Sequence, residues 1–333
     1  MRIMVAGVGV AEVENVVSSH IEEIEKSRRL PDAVVDVLRR TGVNRMAVPV
    51  ELGGLELPVP DTVETLAAIS AVDGSAGWCA AIGAGSNVFA GYLPEAAARK
   101  VFADPDQGNA TMFAPAGTVE ADGRRGAMTG RWPFTSNCLH SSWAGLGAFV
   151  RHGDQPEPGP RVVFVPVDEL TIEDTWSAPG LRGTGSHHVS AEAVDVDLDC
   201  SCRFGDHAWP AGALWRLPIY TVLIPMLASV PLGIARAPST TCSPSPGRVA
   251  RPAGATSTTT LSGWRSWSSP TPTSAPPRPC CASRSKRHAP TSTRAILSIV
   301  NFRPGFSSPA CTPATSPSMP RRPRMPSVAA RPS

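Results

Sequence analysis

Acidic residues run out in the first part of this chain, and that limits what the rest can build. Residues 238–333 contain no Asp or Glu but 13 Lys or Arg, a charge of +13. Residues 1–237 hold all 28 acids against 18 basic residues, a charge of −10. The last segment also has 18 of the 35 prolines. Stretches such as PSTTCSPSPG and SSPTPTSAPPRPCCASRS place no apolar face at helical or strand spacing. They cannot bury enough surface to offset the entropy lost on ordering, so 238–333 reads as low complexity and disordered.

Two origins compete for that segment. One is a genuine basic tail able to stick to nucleic acid or anionic surfaces. The other is translation out of frame. With G or C at third positions, apart from one A in the first proline codon, the frame one nucleotide upstream turns PSTTCSPSPG into AIDDLLALAG. Residues 270–283, PTPTSAPPRPCCAS, similarly permit ADADLRAAEALLRE. Both strings are acidic and rich in Leu and Ala, with apolar residues at helical spacing, and the first continues GIAR without a break. The frameshift is therefore the adopted reading. Nucleic-acid binding ranks last, because the tail interleaves only Trp264, Trp267, Phe302 and Phe306 among its basic residues.

The first 237 residues read as a folding chain. Ala11 to Lys26 puts Val13, Val16, Val17, His20, Ile21 and Ile24 at three- and four-residue steps on one helical stripe, with five glutamates on the rest. A second helix starts at Pro31-Asp32, where the missing proline N–H costs nothing, and stops at Gly42. Asp61 is read as the cap of a third helix. DGSAGWCAAIGAGSN (73–87) is nearly uncharged and rich in small residues, which suits a buried helix allowing close approach; Trp78 and Asn87 on it are candidates for a substrate pocket. Pro94 to Phe102 is a short surface helix. From Ala110 the period changes to two, in short segments separated by Gly, Pro and Asp turns, which predicts an antiparallel barrel or sandwich.

LPIYTVLIPMLASVPLGIARA (217–237) is almost long and apolar enough to span a bilayer, but its three prolines favour a buried helix opening a further helical unit. The expected class is therefore α+β. A helical N-terminal domain covers 1–109 and a β domain 110–210. The first helix of a C-terminal bundle, cut short, covers 211–237, and 238–333 follows as the disordered segment. The eight scattered cysteines match neither a secreted disulfide scaffold nor zinc-ligand spacing, so free thiols and no metal are expected. MRIMVAGVGVAEVE lacks the parts of a signal peptide, making the cytoplasm the expected location.

Two turn-rich stretches carry the chemistry. GRWPFTSN (130–137) and GLRGTGS (180–186) combine glycines, hydroxyls and an arginine between strand-like segments. Glycine turns let backbone N–H groups face an anion or cofactor, and Arg182 adds a planar positive fork; a tight turn with Arg182 paired to a carboxylate is the structural alternative. His187 and His188 follow, expected on opposite faces of a strand.

RLPDAVVDVLRRTGVNRMAVPVELGGLELP, DGSAGWCAAIGAGSN, GRWPFTSNCLHSSWAG and DTWSAPGLRGTGSHHVSAEAVDVD occur in this order. Together they resemble the acyl-CoA dehydrogenase superfamily over about residues 10–237, and within it the branch of two-component, flavin-dependent hydroxylases of aromatic and steroid substrates. The resemblance implies a helical domain, a β domain and a four-helix bundle, usually in tetramers; the lack of bundle residues here counts against the tetramer. It implies FAD as cofactor, with FMN or reduced flavin delivered by a reductase as alternatives. Substrates would be small molecules, an acyl-CoA or an aromatic, and no membrane is implied. By the resemblance Phe134 lies against the flavin ring, Thr135 and Ser136 bond its edge, and Met112, Phe113 and Ala114 border it; Arg182 joins this cofactor set. The family's catalytic base comes from the bundle, and the only histidine in 238–333 is His288, in an unmatched context. No catalytic residue is therefore assigned, and a non-catalytic remnant is the alternative function.

Overall fold

The computed structural model describes residues 7–237. The segment 238–333, with His288 and the out-of-frame reading, lies outside them.

Six helices come first: α1 (Val10–Ser19), α2 (Ile21–Ser27), α3 (Asp32–Arg40), α4 (Val59–Val72), α5 (Gly74–Asn87) and α6 (Glu95–Val101). The single helix expected over 11–26 is two. The chain breaks at His20, whose φ of −120° leaves the helical region and whose Nδ1 lies 2.8 Å from the Val16 carbonyl. Asp61 is in the first turn of α4 rather than at its cap, because Pro60 already suits the helix start. Asp73 caps α5, its carboxylate accepting the Ala76 N–H at 2.8 Å.

The strands are β1 (Ala110–Asp122), β2 (Arg125–Trp132), β3 (Trp143–His152), β4 (Gln155–Pro156), β5 (Arg161–Pro166), β6 (Thr171–Glu173), β7 (His188–Asp197) and β8 (Ser201–Cys202). They form one sheet in the order β6-β7-β2-β1-β3-β5-β8, with β4 paired to β3. The expectation of a purely antiparallel domain is corrected here, because β1 and β3 run parallel. The hairpin from β1 to β2 turns at Gly123, whose φ of +59° suits glycine. The chain must then cross the end of β1 to reach its other side, and residues 133–142 make that crossing.

The sheet separates two cores. Val162 and Phe164 of β5 pack into the helical core, while Val163 and Val165 face a second core with Val119, Met128, Trp132, Leu146, Val189 and Val196. The two-residue alternation of a strand produces this division. A final helix, α7 (Ile219–Arg236), holds Pro225 and Pro231 inside it and packs on α4 and α5. It meets α4 at Gly233, where a Cβ would come within 2.2 Å of the Ala67 carbonyl oxygen. By length and composition α7 could cross a membrane, with a mean hydropathy of 1.5. Its inner face, including Val222, Met226 and Val230, is buried among the other helices.

Candidate functional site

The site begins with Trp132, the last residue of β2, which is fully buried and donates from Nε1 to the Gly147 carbonyl at 2.8 Å. Gly117 and Gly130 face each other across the β1–β2 ladder, and a Cβ on them would lie 2.2 and 2.6 Å from the indole. Their missing side chains make room for that ring. Pinned there, β2 ends and the crossing turn begins.

The two turn-rich stretches come together. Thr135 N–H donates to the His187 carbonyl at 2.9 Å and Asn137 N–H to the Thr184 carbonyl at 3.3 Å. Positive φ angles cluster here, at Phe134 (60°), Asn137 (68°), Leu181 (52°) and Gly185 (51°). An aromatic residue in the left-handed region is an uncommon and costly conformation that its surroundings must hold. The effect is to turn the Phe134 ring outward, 44% exposed, with Trp176 and His188 edge-on at centroid distances of 6.2 and 5.7 Å. Trp176 is itself fixed, its Nε1–H lying 3.1 Å from the carbonyls of both Leu181 and Arg182. His188 Nδ1 is buried without a hydrogen-bond partner.

Just before its Gly117–Gly130 pairing with β2, β1 leaves its register. Met112 pairs with Leu146, the next pairing is Gly117 with Ala148, and β2 pairing also starts at Gly117. Residues 113–116 therefore match neither neighbour. Ala114 is exposed and Met112 half-buried. The Phe113 ring packs away among Phe89 and Phe204, at 5.5 and 5.3 Å.

Other expected site residues stand differently. Thr135 is fully buried, and its hydroxyl donates to the Trp132 carbonyl at 3.1 Å. Ser136 is 5% exposed, with its N–H turned back to the Phe134 carbonyl. Only Phe134 of the three faces outward. Arg182 follows the structural alternative, donating from Nε to the Glu25 carbonyl at 3.0 Å and pairing with the Glu25 carboxylate at 3.3 Å. Trp78, half-buried, donates its indole N–H to Ser136 Oγ at 2.9 Å.

Asn87 is not at a pocket. It sits nine residues beyond Trp78 on the same helix, which at 3.6 residues per turn is the opposite face. Its side-chain nitrogen donates to the carbonyls of Asn44 and Gln107 at 3.1 and 2.9 Å, and its oxygen accepts from Asn109 at 3.1 Å. It is a fully sealed junction between α5, the 43–48 turn and the start of β1.

His187 is buried, and its Nδ1 accepts the N–H groups of Thr175 and Trp176 at 3.1 and 3.2 Å. Burial holds its pKa below the ordinary value, against the opposing pull of Asp174. Sequence reading missed His140, which accepts the Leu30 N–H at 3.3 Å and lines a cleft with Asn44, Gln107 and Asn137. Burial pushes its pKa down to about 4. As pH falls the unfolded chain takes up this proton first, so the stability held in full above about pH 6.5 is lost toward pH 4. The expected loss is about 3 kcal/mol, read as a falling melting temperature that His140→Gln flattens.

Among the described residues Cys79, Cys138, Cys200 and Cys202 are free and buried, and no cluster has metal-ligating composition. Burial pushes the Cys138 thiol up to about 12 and the Cys79 thiol higher still, so neither supplies a thiolate nucleophile.

Residues 10–100 match the family model for the acyl-CoA dehydrogenase N-terminal domain. An indole-3-acetate monooxygenase of Pseudomonas putida is 32% identical over 220 residues, covering 66% of this chain and 56% of that protein. The oxygenase component of an FADH2-dependent resorcinol hydroxylase from Rhizobium is 29% identical over 237 residues, with 68% and 58% covered. Among solved structures, XiaF from Streptomyces, in complex with FADH2 and glycerol, is 31% identical with a TM-score of 0.63 over 67% of this chain and 59% of that one. A 3-HSA hydroxylase from Rhodococcus is 26% identical with a TM-score of 0.64, over 68% and 62%. The chain thus spans little more than half the length of the curated relatives it matches.

Proposed function

We infer, from a chain that has the acyl-CoA dehydrogenase-like fold with that family's N-terminal domain at residues 10–100, that it derives from the oxygenase component of a flavin-dependent monooxygenase. Its substrate would be a small aromatic molecule, its flavin FAD, and its partner a reductase that delivers the flavin reduced. The monooxygenases among its relatives favour this over an acyl-CoA dehydrogenase activity. The carrying observation is Phe134, turned out on a costly left-handed backbone and braced by Trp176 and His188.

The residues present fit a flavin. An exposed aromatic face and an unpartnered buried His188 Nδ1 lie together at this turn, and the unregistered backbone of residues 113–116 leads into the Gly117–Gly130 pairing at the end of the same β1–β2 ladder. These suit a flat ring with polar edges. Phe134 would stack on it, residues 113–116 would offer backbone groups to its edge, and the buried pair Thr135 and Ser136 would fix the turn from behind. Bound there, a reduced flavin supplies the electrons that activate dioxygen for transfer of one oxygen atom to the substrate. The chain's own contribution is position and exclusion of water.

The proton-transfer group is expected from the segment after Ala237, which the frameshift proposal would restore to a helix-forming sequence. Sequencing the gene across the codons for residues 230–245 tests the frame directly; an intact single frame overturns that proposal. The oxygenase reading is tested with the re-framed chain, a flavin reductase, NADH and a panel of phenols and indoles. Oxygen uptake coupled to a hydroxylated product is expected. Bleaching of oxidised flavin by acyl-CoA, with no oxygen-dependent product, would replace the reading with a dehydrogenase.

A further inference from the structure

His187 joins the two segments that hold Phe134 and Trp176. Its carbonyl accepts the N–H of Thr135, the residue after Phe134, at 2.9 Å. Its ring Nδ1 accepts the N–H groups of Thr175 and Trp176 at 3.1 and 3.2 Å. One residue therefore fixes the backbone on both sides of the Phe134–Trp176 contact, where the ring centroids are 6.2 Å apart. Only 7% of the His187 side chain is exposed.

A ring nitrogen that accepts two N–H groups carries no proton of its own, so the neutral ring holds its hydrogen on Nε2. A proton added to Nδ1 sets three N–H donors against one another, and both backbone bonds are lost. The Asp174 carboxylate, 3.4 Å from Nδ1, is placed to accept from the charged ring. It is exposed and paired with Arg28 at 2.9 Å. Burial opposes the charged ring most strongly, and Arg28 and His188 add to that, while Asp174 and the Glu173 carbonyl favour it. The Glu173 carboxylate is committed to Arg131 at 2.7 Å. Cys138, against the His187 backbone, stays a neutral thiol, and residues 133–137 carry no titratable side chain.

We propose that His187 is an acid-released latch: as a neutral ring it holds residues 175–176 against the Phe134 turn, and on protonation it lets them go and loosens the Trp176 brace. His187 is a positioning residue in this scheme, acting on Phe134 through Trp176. The opening is local. Arg28 Nη1 still donates to the Trp176 carbonyl at 2.7 Å, and the Trp176 indole is still held by the carbonyls of Leu181 and Arg182. The open segment leaves His187 near its ordinary pKa of about 6.5, and the closed one holds it lower, so the latch has its full strength above about pH 6.5 and loses it as pH falls. It works whatever ligand lies against Phe134, and sets an acid limit for any that does.

The test is amide hydrogen exchange of the full chain between pH 8 and pH 5, each rate divided by the rate of an unstructured amide at the same pH. In wild type the protection of Thr175 and Trp176 is expected to fall by about tenfold per pH unit below about pH 6.5, the slope of one linked proton. His187→Asn carries a side-chain oxygen where histidine carries Nδ1, so it keeps the acceptor and cannot titrate. Its protection at these two amides should stay level across the range. His187→Ala has no acceptor and should show low protection at them already at pH 8. Wild-type protection that does not fall with pH overturns the proposal. So does an equal fall in His187→Asn, which would trace the loss to general acid unfolding rather than to this ring.

Discussion

Trp132→Ala is expected to destabilise the folded chain by about 3–5 kcal/mol, the cost of deleting a large, fully buried aromatic whose space cannot collapse. Three observations place this residue at the high end. Its ring fills the room left by Gly117 and Gly130, both held in a strand ladder that cannot close on the gap. Its indole N–H is paired to the Gly147 carbonyl, which the substitution leaves buried without that donor. It is also the last residue of β2 before the 133–142 crossing, so the turn that presents Phe134 loses its anchor. Against a domain stability of about 5–15 kcal/mol this is about a fifth or more of the total. Urea unfolding would measure it, with Trp132→Phe as the control that keeps most of the volume and loses only the hydrogen bond. Similar midpoints for Trp132→Ala and wild type would contradict this account of the second core.

Phe134→Gly is expected to separate stability from binding. Glycine adopts a φ near 60° freely, so the substitution relieves roughly 1 kcal/mol of backbone cost. It gives up the edge contacts with Trp176 and His188, each worth about 0.5–1.5 kcal/mol. The relief offsets part of that loss, leaving a net cost of about 0–2 kcal/mol and at most a modest fall in melting temperature. Affinity for reduced FAD should fall by tenfold or more, because the exposed aromatic face is gone. Phe134→Tyr should retain most of it. A Phe134→Gly chain that binds FAD as well as wild type would remove Phe134 from the site.

The sequence made several of these features legible because each rested on a local signal. Alternating apolar residues marked the strands, and the valine stripe marked α1. The glycine-rich stretches announced two turns with unusual backbone. What escaped was set by contacts distant in sequence. The parallel pairing of β1 with β3 depends on where residues 133–142 carry the chain, and nothing in that stretch records the destination. Asn87 looked like a polar residue beside Trp78 because a linear reading ignores the half turn of helix between their faces. Thr135 and Ser136 are hydroxyls of the kind a cofactor edge needs, yet their partners, Trp132 and the 184–186 turn, take them inward. His140 gave no signal, since its partner is the backbone of Leu30 in another layer.

The central claim is that the turn at Phe134 and the unregistered part of β1 together face a flavin. Amide hydrogen exchange on the full chain, with and without saturating reduced FAD under anaerobic conditions, tests it most directly. The account predicts slowed exchange concentrated in residues 112–117 and 133–137, with the sealed junction around Asn87 unchanged. Protection absent from both segments while FAD is bound, or confined to another part of the chain, would contradict it.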